Sequence, residues 1–504
     1  GVDLATTKTI TTTAAANSGT ISGAIDINVI GAGTVNLAGD LVTTGATHAT
    51  ATGSAGGAVT IDAANGTIAV ANITTSGGAA AAALQTGGAA GTIGINTGNN
   101  NVITLNASTL TAAGGAGATQ GAGATIGFGD PVSLATGGVS ISTGATAGNI
   151  SFAQTLDGGQ TLALTSGTGD ITFTGIVGGG TPLGAVTINS AGNVTESAGL
   201  TASSLVQSSG QGTTLLTGAV NTNTAAGVSL LTKAITVNGA VSASNAGVVD
   251  LSATNNSGGL LTVNANITTN GNVYLQANSG VFETGTAKVT AATLGMNVTG
   301  TGAINENNAN LVNVLGAKTA DGNIKFTNNQ ALEVATVGAS GNFLGTSNGL
   351  DTSNAASKSV DLLVNTGTLT LNSDVTASTT GNVYLTAGTS ITEAATSKII
   401  ANTLGMMAGG AIDVNTATNN VGTLGASTSA GTIKYQDADA LTLANVAGNG
   451  GNFAGITAGN AVSTANGNID IKTATSTLNL TNDVNAGTAN VYLTTSTSIT
   501  EAAT

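Results

Sequence analysis

The sequence predicts an all-β solenoid, in which short strands stack in successive coils of roughly 21–24 residues, a period within the range of known solenoid repeats. The first observation is a long internal repeat. Residues 271–380 open with GNVYL, residues 381–489 open with the same five letters and follow the same pattern, and a third copy begins at Asn490. Such a repeat is typical of solenoids because each unit buries its apolar face only against its neighbours.

The second observation is a shorter period within the repeat. The triplet Val249-Asp-Leu251 is followed 24 residues later by Val273-Tyr-Leu275, and Val360-Asp-Leu362 is followed 23 residues later by Val383-Tyr-Leu385. A second triplet, such as Leu369-Thr-Leu371, usually lies between them. Alternation of apolar and polar residues predicts strands with one buried face, and the intervening Gly, Asn, Ser and Thr favour turns.

The third observation is composition. The chain has 76 glycines and 2 prolines in 504 residues, with 2% aromatic and 6% charged residues, yet 41% are hydrophobic. Disordered chains are polar, charged and poor in aliphatic residues, so this composition argues against disorder. It favours narrow coils with aliphatic interiors.

The texture of the sequence divides the chain into five segments of one architecture. They are a looser solenoid at 1–150, regular coils at 151–270, the first long repeat at 271–380, the second at 381–489 and the start of a third at 490–504. In the first segment, Gly/Ala-rich stretches such as 76–91 and 112–124 are predicted to be loops that leave the coil. With coils stacked about 4.8 Å apart, we expect one continuous rod on the order of 110 Å long.

Charge and hydropathy exclude several classes of function. Nine lysines, no arginine and 23 acidic residues leave a net charge of −14. The sequence therefore has no basic patch that could follow a phosphate backbone, which argues against nucleic-acid binding. No stretch approaches 18 consecutive apolar residues, so no transmembrane segment is predicted. There is no cysteine, hence no disulfide or thiolate ligand.

The inventory of reactive side chains argues against an enzyme. The single histidine, His48, lies in a stretch of small residues and has no partner in sequence for a catalytic triad or a zinc site. Asp437 and Asp439 are the close aspartate pair, and we expect a solvated turn there. A carbohydrate-active β-helix enzyme remains the main alternative, although it would need clustered acids. No cofactor is predicted; GTGDITF at 167–173 is one weak hint of calcium.

Three sets of recurring residues are candidates for a structural or binding role. Asparagines that follow a strand triplet are candidates for a hydrogen-bonded ladder between coils: Asn238, Asn264 and Asn372. Tyrosines in the outward middle of a triplet are candidates for lateral contacts or for stacking on sugar rings: Tyr274, Tyr384 and Tyr492. Glutamates recur at intervals that differ by a whole coil and are expected in solvated turns: Glu196, Glu283, Glu393 and Glu501.

The strand triplets, the phrases GNVYL and ITEAAT, GDITFTG at 169–175 and the Gly/Ala-rich stretches together resemble the repeat regions of filamentous-haemagglutinin-like proteins. The resemblance covers most of the chain and lies in texture more than in a strict motif. It implies a right-handed parallel β-helix and a large secreted bacterial surface protein, an adhesin or a matrix filament. The family's amino-terminal secretion domain has no counterpart in this sequence.

We therefore expect a non-enzymatic, extracellular shaft at the bacterial cell surface that spaces other domains or assembles into a fibre. Open strand edges at both ends predict end-to-end self-association, and surface polysaccharide or other cells are further expected partners. An ice-binding solenoid is a third alternative. It is disfavoured because the outward triplet residue varies, as in Leu332-Glu-Val334 and Ile324-Lys-Phe326.

Overall fold

The computed structural model describes residues 3–81, 84–378, 380–457 and 459–501, and these residues form strands and turns without any helix. The chain divides into two compact units, residues 1–247 and 248–504. This division falls inside the predicted segment 151–270. None of the described residues belongs to a helix long and apolar enough to cross a membrane.

The strands of the first unit are short, mostly three to five residues. In chain order, β1 to β26 are Leu4–Thr6, Ile10–Thr11, Ile25–Val29, Val35–Leu37, Leu41–Val42, Val59–Ala63, Ile68–Val70, Ile73–Thr74, Ile93–Asn96, Ile103–Asn106, Thr109–Thr111, Ile126–Phe128, Val132–Thr136, Val139–Ser142, Ile150–Phe152, Leu156–Asp157, Leu162–Thr165, Ile171–Phe173, Leu183–Ser190, Val194–Glu196, Leu200–Gln207, Thr213–Leu216, Val220–Thr222, Val228–Thr232, Ala234–Val237 and Val241–Ala243.

The second unit adds several long, bent strands to the short ones. In chain order, β27 to β53 are Val249–Ala253, Leu261–Val263, Ile267–Thr269, Asn272–Ala277, Val281–Glu283, Val289–Thr301, Ile304–Asp321, Ile324–Asn328, Leu332–Val334, Leu350–Asp351, Val360–Val364, Leu369–Leu371, Val375–Thr376, Asn382–Ala387, Ile391–Glu393, Ile399–Ala408, Ile412–Thr428, Ile433–Asp437, Leu441–Leu443, Val446–Ala447, Gly455–Ile456, Asn460–Thr464, Ile469–Thr473, Leu478–Leu480, Asp483–Asn485, Val491–Thr494 and Ile499–Glu501.

Nearly all strand pairs are parallel, and each strand pairs with one that follows it by a coil. In the second unit, Val360 pairs with Val383 and Ile469 with Val491, and both steps match the predicted coil length. Two coils of this unit are longer, because Ile324 pairs with Val360 and Ile433 with Ile469. Parallel stacking with this regular step is the pairing expected for a β-helix-like fold.

The predicted coil length is wrong for the beginning of the chain. Ile25, Val59, Ile93 and Ile126 follow one another in a single column, so these coils are half as long again as the sequence pattern predicts. From Ile126 onward the column advances in shorter steps, the first of which leads to Ile150 and the second to Ile171. The early coils are longer because the Gly/Ala-rich stretches belong to them.

Those Gly/Ala-rich stretches are not loops that leave the coil, contrary to the prediction. We call residues 43–57, 75–81, 84–91 and 111–124 the glycine-rich layer. In each coil the chain runs out and back, and both limbs hydrogen-bond through their backbones. Five N–H···O bonds of 2.8 to 3.0 Å connect the limbs in sequence. The N–H group is named first and the carbonyl second: Ser54 to Ala46, Gly78 to Ser54, Gly88 to Gly78, Gly115 to Gly88 and Gly121 to Gly115.

Glycine is required in this layer by the close approach of the backbones. A Cβ atom at Gly78 would overlap the carbonyl group of Ala46, and one at Gly88 the carbonyl group of Ser54. Buried threonines tie the base of the layer, because Thr75 Oγ1 donates to the Gly91 carbonyl at 2.6 Å. The backbone polar groups are thus satisfied within the layer, and close packing replaces a side-chain core.

Elsewhere the interior is built from the strand triplets. In Leu369–Leu371 both leucines are buried and Thr370 is half-buried, which is the predicted alternation. Three aromatic rings extend the first unit's aliphatic core, because Phe152 stacks between Phe128 and Phe173 at centroid distances of 4.9 and 5.4 Å. Side chains at the same position of successive coils therefore pack directly on one another.

Candidate functional sites on the outer face and in the core

An outward column of unusual composition runs along the second unit. Asp250, Tyr274, Gly295 and Gly316 occupy one register position in four successive coils. The same column recurs one long repeat later as Asp361, Tyr384, Gly405 and Gly425. The two glycines leave a groove beside each tyrosine.

A segment of the longer coil between Ile324 and Val360 covers the first groove. We call residues 335–349 strap 1. Its Phe343 ring stacks on Tyr274 at 5.1 Å, and the space is available because a Cβ at Gly295 would overlap Phe343. The Asn342 N–H donates to Asp250 Oδ2 at 2.7 Å. The Gln276 side-chain amide bonds the backbone of the strap as a neighbouring strand would: its Nε2 donates to the Asn342 carbonyl at 3.1 Å and its Oε1 accepts from Leu344 N–H at 2.9 Å.

Strap 2, residues 444–457, repeats this arrangement on the second column. Phe453 packs against Tyr384 with ring centroids 5.1 Å apart, and the Asn452 N–H donates to Asp361 Oδ2 at 3.0 Å. Its two arms pair as an antiparallel hairpin, Val446–Ala447 with Gly455–Ile456. The straps also affect the acids beneath them. Burial raises the pKa of Asp250 to about 6, although the Asn342 N–H opposes the shift.

The straps correct the prediction for two of the three tyrosines. Tyr274 is only 6% exposed, so its ring offers no free surface for sugars or lateral contacts, and Tyr384 is partly buried against Phe453. Tyr492 is 51% exposed. The missed sequence signal was Gly-Asn-Phe, which stands at 341–343 and again at 451–453, after the second glycine of each column.

The predicted asparagine ladder of Asn238, Asn264 and Asn372 is tested here only in part. Asn264 accepts a hydrogen bond from the Thr284 hydroxyl of the next coil. Asn372 follows a strand whose neighbours, Leu332–Val334 and Ile391–Glu393, are followed by alanines. Asn238, in the first unit, follows a strand whose neighbour Thr213–Leu216 is followed by Thr217. Asn372 therefore does not stack on an asparagine of a neighbouring coil, whereas a contact between Asn238 and Asn264 stays a prediction.

A ladder of the predicted kind lies elsewhere, at the residue immediately before a strand. Asn149 Oδ1 accepts from Asp170 N–H at 2.9 Å, Asp170 Oδ1 accepts from Asn193 N–H at 2.8 Å, and Asn193 Oδ1 accepts from Thr213 N–H at 2.8 Å. Asp170 belongs to the GTGDITF segment that hinted at calcium. Its Oδ1 is engaged by the next coil, so the segment has a structural role in this ladder.

The recurring glutamates are not in solvated turns, which was the prediction. Glu196, Glu283 and Glu393 are 1%, 7% and 7% exposed and occupy the inward third position of a triplet. Glu196 is held by backbone N–H groups of Gly199 and, at 2.9 Å, of Gly218. Glu501, in the final described strand, is exposed.

The first long repeat contains a buried polar cluster around Glu283 and a further acid, Glu306. Glu283 Oε2 accepts from Asn308 N–H at 2.8 Å and from Asn310 Nδ2 at 3.3 Å. Asn310 replaces missing backbone partners, since its Oδ1 accepts from Val289 N–H at 2.6 Å. Glu306 is fully buried in the next coil. Burial raises the pKa of Glu283 to about 7, and burial together with Glu283 raises the pKa of Glu306 well above its usual range.

The second long repeat fills the same place with different residues. Val414 stands where Glu306 stood, and Tyr435 replaces Phe326 beside it. The Tyr435 hydroxyl donates to Asp437 Oδ2 at 2.7 Å, and Val421 N–H donates to the same oxygen at 3.1 Å. Asp437 is therefore buried rather than solvated as predicted. Burial raises its pKa to about 6, and burial followed by Asp437 raises the pKa of Tyr435 well above its usual range.

The remaining reactive side chains are dispersed. His48 is half-buried at the edge of the glycine-rich layer, where its Nδ1 accepts from Ala51 N–H at 3.0 Å. Within the described parts of the chain, no group of three or more His, Cys, Asp or Glu residues could hold a metal ion. A shallow groove of about 420 Å³ lies beside strap 1 and is lined by Asn297, Lys318 and Ser347. Lys318 pairs there with Asp351 at 3.7 Å.

No family model, no curated protein and no solved structure matches this chain.

Proposed function

We propose that this protein is a non-enzymatic structural shaft, a right-handed parallel β-helix that belongs to a bacterial adhesin, fibre or matrix filament outside the cell. The observation that carries the proposal is the in-register parallel pairing of coil on coil, such as Val249 with Val273 and Val360 with Val383. Backbone hydrogen bonds then run along the stack, in the direction in which a filament bears tension.

Side-chain devices support the same proposal. The ladder of Asn149, Asp170 and Asn193 ties the turns of successive coils, and each strap ties its own coil to earlier coils of the second unit. These contacts resist a slip of one coil against another, because a slip of one residue would turn the apolar face outward. Stiffness and constant spacing are useful properties for a shaft.

The placement of the acids weighs against a carbohydrate-active enzyme. Glycoside hydrolysis needs a pair of carboxyl groups on either side of a bound sugar. Here Glu196, Glu283, Glu306 and Asp437 are buried in the coil interior. We therefore favour a mechanical role over a catalytic one.

We also propose that copies associate end to end wherever the last coil of a stack stays uncovered. The edge of a strand such as Val491–Thr494 or Ile499–Glu501 then invites pairing with another chain. Electron microscopy of the purified chain should show linear strings at high concentration. The matched control is Val491→Lys with Ile499→Lys, because lysine on an edge strand opposes pairing.

The double lysine variant should remain as single particles while its circular dichroism stays that of the parent. Single particles for the parent chain at every concentration would contradict end-to-end association. Globular particles without elongation would contradict the shaft itself.

A further inference from the structure

Glu283 and Glu306 lie one above the other in the interior of two consecutive coils. The strands that carry them pair in register, Val281 with Ile304 and Phe282 with Asn305, and both glutamates follow in the next inward position. Glu283 is 7% exposed and Glu306 is completely buried.

The pair is short of hydrogen-bond donors. Among the four carboxyl oxygens of the pair, Glu283 Oε2 is the one that accepts hydrogen bonds, from Asn308 N–H and Asn310 Nδ2. Glu283 Oε1 and both carboxyl oxygens of Glu306 are buried without any partner among the described residues. A buried acceptor without a donor destabilises the fold, and more so when it is charged. Two adjacent carboxylates in this environment cannot both remain ionised.

The elements around the pair supply no compensating charge. On the far side of Glu283 the register neighbour is Val263, and on the far side of Glu306 it is Phe326. The side chain that hydrogen-bonds the pair is the Asn310 amide, and the titratable group that acts on Glu306 is Glu283. A proton between the two acids would satisfy one unpaired oxygen as donor and another as acceptor.

The second long repeat provides an internal comparison. It has the same inward glutamate, Glu393, but its neighbour in the next coil is Val414. A second acid is therefore not required at this place for the coils to stack. Its presence in the first repeat alone distinguishes two otherwise similar segments of one unit.

We propose that Glu283 and Glu306 hold one proton between them, and that loss of this proton as the pH rises opens the first long repeat while the second stays closed. The device is a pH-sensitive joint inside the stack. It operates within the proposed shaft but does not depend on that role.

The direction follows from the protonation states. Both acids have raised pKa values in the folded chain, Glu283 to about 7 and Glu306 well above its usual range, chiefly because of burial. When the pKa of an acid is higher in the folded chain than the unfolded value of about 4.3, the acid contributes its full stabilisation at pH values below about 4.3. That stabilisation is lost as the pH rises through the folded pKa. Where the folded segment holds one proton more than the open one, the opening constant rises about tenfold per pH unit.

The test is hydrogen exchange followed by mass spectrometry on the full chain between pH 5 and 9, with each rate divided by the intrinsic exchange rate. Peptides covering 281–328 should lose protection about tenfold per pH unit above pH 5. Peptides covering 391–437 should change less over pH 7 to 9, since Asp437, with a pKa of about 6, has already ionised there.

Three variants separate this proposal from general alkaline loosening. Glu306→Val copies the second repeat and should abolish most of the pH dependence in 281–328. Glu306→Gln should do the same, because the glutamine amide donates a hydrogen bond at every pH and carries no charge. Val414→Glu should confer the pH dependence on 391–437. Equal responses of the two repeats in the parent chain, or an unchanged response in Glu306→Val, would overturn the proposal.

Discussion

Gly88→Ala should unravel the glycine-rich layer although it adds a single methyl group. The new Cβ would overlap the backbone carbonyls of Ser54 and Gly53, which cannot rotate away as a side chain could. The limb carrying residue 88 must therefore move. Two buried hydrogen bonds pass through this residue, from its own N–H to Gly78 O and from Gly115 N–H to its carbonyl, both 2.8 Å.

The magnitude follows from these contacts. Overpacking of a close-packed region costs about 1–3 kcal/mol. Leaving a buried backbone group without its partner costs about 1–3 kcal/mol, so loss of one of the two bonds brings the expected total to about 2–6 kcal/mol. The measured loss of free energy cannot exceed the free energy of opening the layer if the layer opens locally while the rest of the first unit stays folded.

The matched control is Gly94→Ala. Gly94 is the outward residue of β9, and a Cβ there meets no atom within 4 Å. Its effect on the free energy of unfolding should lie within about 0.5 kcal/mol of zero or be slightly stabilising, because glycine weakens strands.

Two measurements report the outcome. Urea unfolding monitored by circular dichroism gives the free energy, and hydrogen exchange of peptides 84–91 and 111–124 localises the loss. His48, the only histidine, lies at the edge of the layer, so its NMR signals provide a specific probe. If both alanine variants are equally stable and equally protected, these segments are ordinary loops and the packing argument is wrong.

Two other predictions concern the second unit. Phe343→Ala should release strap 1 at a local cost of about 3–5 kcal/mol, measured as faster hydrogen exchange in residues 335–349. The control Leu344→Ala, at a side chain that is 67% exposed, should leave the exchange rates unchanged. Retained protection in Phe343→Ala would show that the ring does not hold the strap. Tyr435→Phe removes the hydroxyl donor to Asp437 and should lower the free energy of unfolding at pH 7 by about 1–3 kcal/mol, measured by thermal melting. Adding Asp437→Asn recreates the Phe326 and Asn328 arrangement of the first repeat and should restore stability; no recovery would mean that the two repeats pack differently here.

Much of the local structure could be predicted from residue patterns alone. Alternation in Leu369-Thr-Leu371 indicated which side chains face inward, because a strand turns every second side chain to the same side. The same rule placed Tyr274 outward, correctly for the strand. It could not show that residues 335–349, which come from a coil much later in the chain, fold back over the ring.

The acids illustrate a second limit. Glu283 and Asp437 are charged residues in sequence and were expected in water, since burying an unpaired charge is costly. The groups that hold them include Asn310 and the N–H of Val421, which come from other coils, so the compensation was invisible along the chain. The spacing of the glutamates was a signal of coil position rather than of exposure.

The sequence by itself determined an all-β, parallel, repeating architecture, because period-two triplets that recur at a regular spacing can bury their apolar faces only by stacking. Only the tertiary structure decided what fills each position between the triplets. Glycine runs can form flexible loops or the tightest backbone packing available, and the difference lies in whether another backbone stands within hydrogen-bonding distance. For Gly78 and Gly88 that neighbour is supplied by limbs of adjacent coils, a contact that no local pattern encodes.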